Sequence, residues 1–248
     1  MNDGILVDAK RGHTAQEVVE AVARLKQRGM TVGVQLLPGL KGETWETILE
    51  TAIAVVKLKP DFVRIYPVLV IENTELADQY RSGEYEPLST ERAIKYCAFL
   101  KEWFEQHNIE VIRTGLQSTE ELDSGNSLVA GPYEPAMGEL VVNEQYKQRI
   151  ERCIDEHLSS ENVLGKQNDY NFSHFDCYHI HKVKCRFYSD SGNILMKHRI
   201  VISYPRSSTS KVRGLKNRNI LYFQETYPQF SIDWYEDSTR NTVRCCID

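Results

Sequence analysis

Apolar positions along this chain follow two different spacings, and each spacing predicts one kind of secondary structure. Apolar residues recur every three or four positions in four segments, which predicts helices at about 14–28, 44–58, 90–106 and 139–158. Short apolar runs of buried-strand length follow the first three of these helices, at 31–37, 62–66 and 109–113. Strands and helices that alternate at this spacing predict βα units in a parallel sheet.

Capping residues mark where the predicted helices begin and end. Thr14, with Glu17 three residues later, has the pattern of a capping box, and Ser89 stands directly before the third helix. Gly29 stands at the C′ position of the first helix. The side chains predicted to face the core are Val18, Val22 and Leu25 in the first helix, Ile48, Ala52 and Val55 in the second, and Ile94, Cys97, Leu100 and Phe104 in the third.

The pattern changes in the second half of the chain. A turn-rich joint at 131–135 leads into the fourth helix, and a polar stretch at 159–171 reads as a linker. Residues 177–188 alternate strictly, a turn follows at 190–193, and 194–204 reads as the return strand of a hairpin. A basic loop, a helix at about 217–226 and strands near 229–235 and 241–247 predict a small α+β module. The predicted domains are therefore 1–130, a connecting helix at 131–160, and an α+β extension at 161–248.

Composition narrows the class of protein further. The chain has 248 residues and a net charge of −5, and its apolar runs all fall short of the ~20 residues that a membrane helix needs. Its six cysteines lack the spacing of a disulfide framework, which favours a reduced, cytoplasmic location. Residues 1–130 carry 14 Lys and Arg against 20 Asp and Glu, whereas the remainder carries 16 against 15. The acidic charge is thus concentrated in the predicted βα part.

A candidate ligand site lies in the stretch 31–44, TVGVQLLPGLKGET. A predicted buried strand ends there in a loop with two glycines, Gly39 and Gly42, and a helix follows directly. In α/β proteins ligands bind beyond the carboxyl ends of the strands, and glycine lets backbone amides approach a ligand closely. This predicts the place of a site but leaves its chemistry open.

Several motifs occur in an order that is typical of one family. The segments are RGHT at 11–14, QLLPGLKGE at 35–43, IYPVLVIENTEL at 65–76 and SGEYEP at 82–87. They resemble the later half of a radical S-adenosylmethionine barrel, most closely of the Elongator catalytic-subunit type and more distantly of the oxygen-independent coproporphyrinogen oxidase type. IRTGLQST at 112–119 and GPYEPAMGELV at 131–141 resemble short bacterial relatives without an acetyltransferase domain. The resemblance covers roughly residues 1–142.

The resemblance implies a fold, a cofactor and a set of site residues. The fold class is α/β, as the later part of a partial (β/α)6 barrel followed by the small α+β module. The implied cofactor is S-adenosylmethionine, held at the top of the barrel by Gln35, Leu37, Pro38, Gly39, Ile65, Tyr66 and Pro67. Arg11 and His13 are candidates for the mouth of the site, with a structural role in a loop as the alternative.

The cysteine motif that this family uses is not in the sequence. Its [4Fe–4S] cluster is bound by CxxxCxxC, and no such spacing occurs in the 248 residues. We therefore expect a C-terminal portion, with the cluster supplied by an N-terminal half that is absent here or is a separate chain. His174, Cys177, His179, His181 and Cys185 could suggest zinc, but strand alternation explains three of them, so no metal site is predicted.

A basic segment in the second half suggests a nucleic-acid partner. Residues 191–224 contain no acid, and Lys211, Arg213, Lys216 and Arg218 are the candidate RNA-binding residues. The turn at 214–217 is faintly similar to the GxxG loop of KH domains, although Asn217 stands in place of the second glycine. A solvated basic face is the alternative interpretation.

Two functions remain open at this point. The chain is either the C-terminal portion of a radical S-adenosylmethionine enzyme that modifies RNA, plausibly tRNA, or a non-catalytic module that binds RNA or a partner chain. Without the cluster motif, this chain by itself is expected not to cleave S-adenosylmethionine.

Overall fold

A computed structural model describes residues 1–125, 127–160, 198–237 and 244–247. The chain forms two compact units, Met1–Val141 and Val142–Asp248. The division falls within a long helix that starts in the first unit. The three domain ranges given by the sequence stay a prediction.

The first unit alternates helices with short strands. Its elements are α1 (Asp3–Asp8), α2 (Ala15–Gln27), β1 (Gly33–Leu36), α3 (Trp45–Leu58), β2 (Phe62–Ile65), β3 (Val70–Ile71), α4 (Glu75–Arg81), α5 (Thr90–Gln106), β4 (Glu110–Thr114), α6 (Glu120–Asp123), β5 (Leu128–Ala130) and the start of α7 (Met137–Ser160). The predicted capping box is present, because Thr14 accepts from the Glu17 amide and the Glu17 carboxylate accepts from the Thr14 amide. The helices predicted at 14–28, 44–58 and 90–106 are confirmed.

The principal sheet of this unit is parallel, with the strand order β1-β2-β4. Its register pairs Leu36 with Ile65, and Ile65 with Thr114. Ile65 is completely buried, and the cluster around it includes Ile48 and Phe104 from α3 and α5. These helices therefore cover one face of the sheet, and the α/β class with a parallel sheet is confirmed.

The opposite face of the sheet carries different residues. Gly33 lies beneath Phe62, since a Cβ on Gly33 would stand 2.1 Å from that ring. Gln35, Arg64 and Arg113 continue this face, and all three are exposed.

Five elements of the first unit were not predicted, which are α1, β3, α4, α6 and β5. Residues 72–74 lie between β3 and α4, and β3 pairs antiparallel with β5. Thr74 caps α4 by accepting from the Ala77 amide. The strand β3 has only two residues and depends on a partner far along the chain, so no local pattern marks it.

The second unit combines the rest of α7 with a mixed sheet. Its other elements are β6 (His198–Tyr204), α8 (Thr209–Arg213), α9 (Arg218–Thr226), β7 (Phe230–Glu236) and β8 (Arg244–Ile247). The central strand β6 pairs parallel with β7 and antiparallel with β8. Ile200, Ile202, Tyr204 and Phe223 are fully buried, and Ile154 of α7 belongs to the same cluster. The helix predicted at 217–226 is confirmed.

Some predictions fall on residues outside the described ranges. These are the strand at 177–188, the turn at 190–193, most of the linker at 159–171, and the histidine and cysteine set that was weighed for zinc. None of the helices in the described ranges is long and apolar enough to cross a bilayer.

Candidate functional site

The loop after β1 is held at Gly39 by two side chains from different parts of the first unit. The Gly39 amide donates to Glu43 Oε2 at 2.5 Å, and the Tyr85 hydroxyl donates to the Gly39 carbonyl oxygen at 2.7 Å. The Pro38 carbonyl accepts from the Val68 amide at 2.9 Å. Three hydrogen bonds thus fix the backbone at the carboxyl end of β1.

Gly39 fits this position because it has no side chain. Its φ is +101°, a region that L side chains rarely adopt, and a Cβ there would lie 3.1 Å from Leu88. Any other residue at position 39 would strain the loop. The glycine predicted from the motif therefore has a definite backbone role.

The carboxyl group of Glu43 has an unusual environment. Burial raises the pKa of Glu43 to about 7. The amides of Gly39 and Leu40 and the Met1 ammonium group act in the opposite direction and lower it, but by less. Burial, and then the charge of Glu43, raise the pKa of Tyr85 to about 12. The group that holds the loop is therefore ionisable near neutral pH.

A cavity of about 400 Å³ opens at the carboxyl ends of β1 and β2. Its lining includes five of the nine predicted site residues, which are Arg11, Gln35, Leu37, Tyr66 and Pro67. Most other lining side chains are apolar, including Leu40, Val68 and Leu76. A concave, mainly apolar space with a few polar groups is typical of small-molecule sites.

A second cavity of about 140 Å³ lies beside the first. It is lined by Pro38 and His13, and it shares Arg11, Gln35 and Leu37 with the larger cavity. Seven of the nine predicted site residues therefore line one cavity or the other.

The remaining two predicted residues, Gly39 and Ile65, line neither cavity. Ile65 is fully buried in the core, and its carbonyl accepts from the Gly115 amide. Its side chain therefore supports the sheet and does not face either cavity.

Lys10 and Tyr85 line the larger cavity, and sequence reasoning had marked neither as a site residue. Lys10 and Glu75 form a two-point ion pair at 2.6 and 2.7 Å, and both line the cavity. Tyr85 also lines it and lies in the SGEYEP motif, which the sequence had marked only as part of the resemblance. Glu43, which lines the smaller cavity, shows no local sequence signal that separates it from an ordinary surface acid.

The basic segment of the second unit forms a turn between α8 and α9. Lys211, Lys216 and Arg218 are exposed, whereas the Arg213 Nε donates to the Tyr204 hydroxyl at 3.2 Å. Asn217 adopts the left-handed backbone conformation, with φ +60° and ψ 25°. Asparagine tolerates this region better than most residues, so Asn217 can take the place of a second glycine in the turn.

The buried side chain of Asn219 fixes this turn. Its Nδ2 donates to the carbonyl oxygens of Asn143 at 3.0 Å and of Val212 at 3.1 Å. It also reaches the carbonyl oxygen of Lys211 at 3.4 Å. One amide therefore ties α7 and the end of α8 to the start of α9.

Within the described ranges, no cluster of His, Cys, Asp and Glu could hold a metal ion. Cys97 and Cys153 are buried in separate units, and burial raises the pKa of Cys97 to about 12. A thiol of that kind stays protonated and is a poor ligand.

Comparisons with known proteins agree with the motifs of the first unit. Residues 60–148 match the Radical_SAM C-terminal domain. The tRNA uridine(34) acetyltransferase of Methanocaldococcus jannaschii is 33% identical over 158 residues, which cover 60% of this chain and 27% of that protein. Human Elongator complex protein 3 is 30% identical over 94 residues, which cover 37% of this chain and 17% of that protein. This chain thus spans less than a third of either relative.

A solved structure of the Elp3 protein of Methanocaldococcus infernus, with an N-terminal deletion of residues 1–46, is also similar. It is 25% identical, with a TM-score of 0.48, over 66% of this chain and 34% of that chain.

Proposed function

We propose that this chain, whose residues 60–148 match the Radical_SAM C-terminal domain, forms the later wall of a partial (β/α)6 barrel and takes part in tRNA modification. The observation that carries the proposal is the cavity of about 400 Å³ at the carboxyl ends of two parallel strands, lined by residues of both family motifs. This is the place where α/β folds bind their ligands.

The residues at the larger cavity fit S-adenosylmethionine. Leu37 and Pro67 offer apolar surface for an adenine ring, and the Gln35 amide offers hydrogen bonds to its edge. When bound and reduced, this cofactor supplies a carbon radical that abstracts hydrogen atoms. This chain would bind the cofactor, orient it and exclude water, with Glu43 and Tyr85 keeping the loop at Gly39 in place.

The iron–sulfur cluster does not fit this chain. The sequence has no CxxxCxxC, and the buried residues Cys97 and Cys153 lie in separate units. The cluster therefore has to be bound by residues outside these 248 positions, on an upstream segment or on a separate partner chain. This chain by itself is expected not to cleave S-adenosylmethionine.

Anaerobic iron–sulfur reconstitution tests the proposal. Iron content and absorbance in the cluster band are measured on this chain and on a version that is extended upstream in its coding frame. Iron in the extended form alone is the expected result. Iron in neither form, or in this chain alone, contradicts the proposal.

Binding of labelled S-adenosylmethionine to the extended form then tests the site. Gln35→Ala is expected to weaken binding about tenfold, the equivalent of one or two lost hydrogen bonds. Gln106→Ala, at the end of α5, is the matched control and is expected to bind as the unchanged protein does. Equal affinity of all three would remove Gln35 from the site.

RNA binding by the second unit is a second candidate function. The observation that favours it is the turn at 214–217, where the left-handed Asn217 stands between exposed Lys216 and Arg218. Basic side chains around such a turn suit a phosphate backbone.

Titration of a single-stranded RNA at graded salt tests this candidate. Lys216→Gln with Arg218→Gln is expected to lower the slope of log affinity against log salt by about 1.4, since each phosphate contact on a single strand contributes about 0.7. Lys57→Gln with Lys59→Gln removes the same charge from the first unit and is expected to change the slope little. Equal slopes for both variants would exclude the turn as an RNA contact.

A further inference from the structure

The register of the parallel sheet brings two arginines side by side. Gln35 of β1 pairs with Arg64 of β2, and Arg64 pairs with Arg113 of β4. Paired residues on neighbouring strands lie about 4.8 Å apart and point to the same face. The three side chains therefore form one row across the sheet, on the face turned away from α3 and α5.

This pair of positive charges has no anionic partner within the described ranges. Neither Arg64 nor Arg113 forms an ion pair with a residue that the structure describes, and the Arg64 guanidinium lies 5.8 Å from the centre of the Phe62 ring. Glu110 lies on the same face, but it pairs with Phe62 nearer the amino ends of the strands. Like charges at paired positions destabilise a sheet, so a bound anion would relieve a real repulsion.

The position of the row fits a ligand site. Arg64 and Arg113 each precede the last residue of their strand, so the row lies at the carboxyl ends of the sheet. Gln35 belongs both to the row and to the lining of the larger cavity. A group bound at the two arginines would therefore lie next to the proposed cofactor site.

The chemistry of two adjacent guanidinium groups selects the ligand. Each presents a planar fork of donors that matches two oxygens of a phosphate or carboxylate. A phosphodiester keeps two free oxygens with one negative charge, and an RNA strand places successive phosphates within reach of both forks. The positive row is thus complementary to an RNA backbone.

We propose that Arg64 and Arg113, with Gln35 beside them, bind the phosphate backbone of an RNA substrate at the carboxyl ends of the sheet. This inference rests on the proposed function, which supplies RNA as the anionic ligand. It concerns a different contact from the cofactor site and from the basic turn of the second unit.

Fluorescence anisotropy with a labelled ten-nucleotide single-stranded RNA tests the inference on the full chain, without S-adenosylmethionine or iron. Lys211, Lys216 and Arg218 are first changed to Gln, so that the second unit does not dominate the signal. In this background, Arg64→Gln with Arg113→Gln is expected to weaken binding at least tenfold. It is also expected to lower the salt slope by about 1.4.

Matched controls separate this contact from general charge loss. Arg24→Gln with Arg28→Gln removes the same charge from the end of α2, which leads into the amino end of β1, and is expected to change binding less than twofold. A peptide nucleic acid of the same base sequence has no phosphates and is expected not to bind. Amide exchange or a thermal melt checks that the double variant is folded.

Three results would overturn the inference. These are no RNA binding in the starting background, an equal loss in the α2 control, and equal binding of the peptide nucleic acid. Because no cofactor is present in the assay, a failed iron reconstitution would reject the proposed enzyme but would leave the RNA result standing.

Discussion

Each unit of this protein fixes a glycine-containing turn beside its candidate site, but the two units use different chemistry. In the first unit, the turn at Gly39 is held by the carboxyl group of Glu43 and the hydroxyl of Tyr85. In the second, the turn after α8 is held by the neutral amide of Asn219. An acid with a pKa of about 7 makes its turn sensitive to pH, whereas an amide makes its turn sensitive only to substitution.

The largest expected loss of stability tests whether the hydrophobic cores of the two units are equally well packed. Phe104→Ala in the first unit and Phe223→Ala in the second each remove a fully buried ring. Each is expected to lower the free energy of unfolding of its own unit by about 3–5 kcal/mol. Urea denaturation with hydrogen exchange resolved by unit measures both, and Val19→Ala, on an exposed position of α2, is the control. A loss below about 1 kcal/mol at either ring would show that the core of that unit is loosely packed.

The next effect concerns pH and Glu43. The folded pKa of about 7 lies above the usual 4.5, so the folded form holds a proton that the unfolded chain releases. The contribution of Glu43 to stability is therefore fully present below about pH 4.5, falls as pH rises towards 7, and is lost above it. The total loss is on the order of 3–4 kcal/mol, since one pKa unit corresponds to about 1.4 kcal/mol.

Denaturation between pH 4 and 8 measures this loss, and Glu43→Gln is expected to remove it. Glu46→Gln is the control, because Glu46 is an exposed acid whose pKa is lowered by its hydrogen bond with Thr44. A Glu43→Gln variant with the full pH dependence would show that another group causes it. Equal pH dependence of both units would break the contrast between the two turns.

A smaller loss of stability is expected at Asn219, whose neutral amide holds the turn of the second unit. Asn219→Ala leaves the carbonyl oxygens of Asn143 and Val212 without their buried donor and is expected to cost about 1–3 kcal/mol. This loss should not vary between pH 5 and 8, in contrast to that of Glu43. Denaturation at both ends of the range measures it, with exposed Asn217→Gly as the control that keeps the left-handed turn. A loss that changed with pH would mean that an ionisable group shares the role of Asn219.

The smallest expected changes in stability concern two ion pairs, one from each unit. Lys10 and Glu75 are mostly exposed, with side-chain exposures of 70% and 56%, whereas Lys147 and Glu144 are exposed by only 13% and 11%. Lys10→Ala is expected to change stability by less than about 0.5 kcal/mol. Lys147→Ala is expected to cost about 1–2 kcal/mol, because it also removes a cation above the Tyr222 ring. Thermal denaturation at low and high salt distinguishes the two, and an equal loss at both lysines would contradict this difference.

The helices and the parallel strands could be predicted because their signals are local. The stripe at Ile48, Ala52 and Val55 is buried as the spacing requires, and Thr14 with Glu17 forms the predicted capping box. The family resemblance came from several motifs in order and is confirmed by the match at residues 60–148.

The contacts that build the site could not be predicted, because they join residues that are far apart. Tyr85 reaches Gly39 across 46 positions, and β3 meets β5 across more than 50. No local pattern distinguishes Glu43 from an ordinary acid before a helix, since its pKa depends on burial. The cap at Thr74 is the exception, because a threonine followed by Glu75 was a readable signal for α4.

Because of the close contact between Gly33 and Phe62, these two positions, 29 residues apart, constrain each other's sequence. A side chain at 33 would collide with the ring at 62, so a larger residue at one position requires a smaller one at the other. The ring also lies near Arg64, and its loss would remove the support of that guanidinium. Among homologous sequences, positions 33 and 62 are therefore expected to covary, and relatives that exchange this pair should differ at position 64 as well.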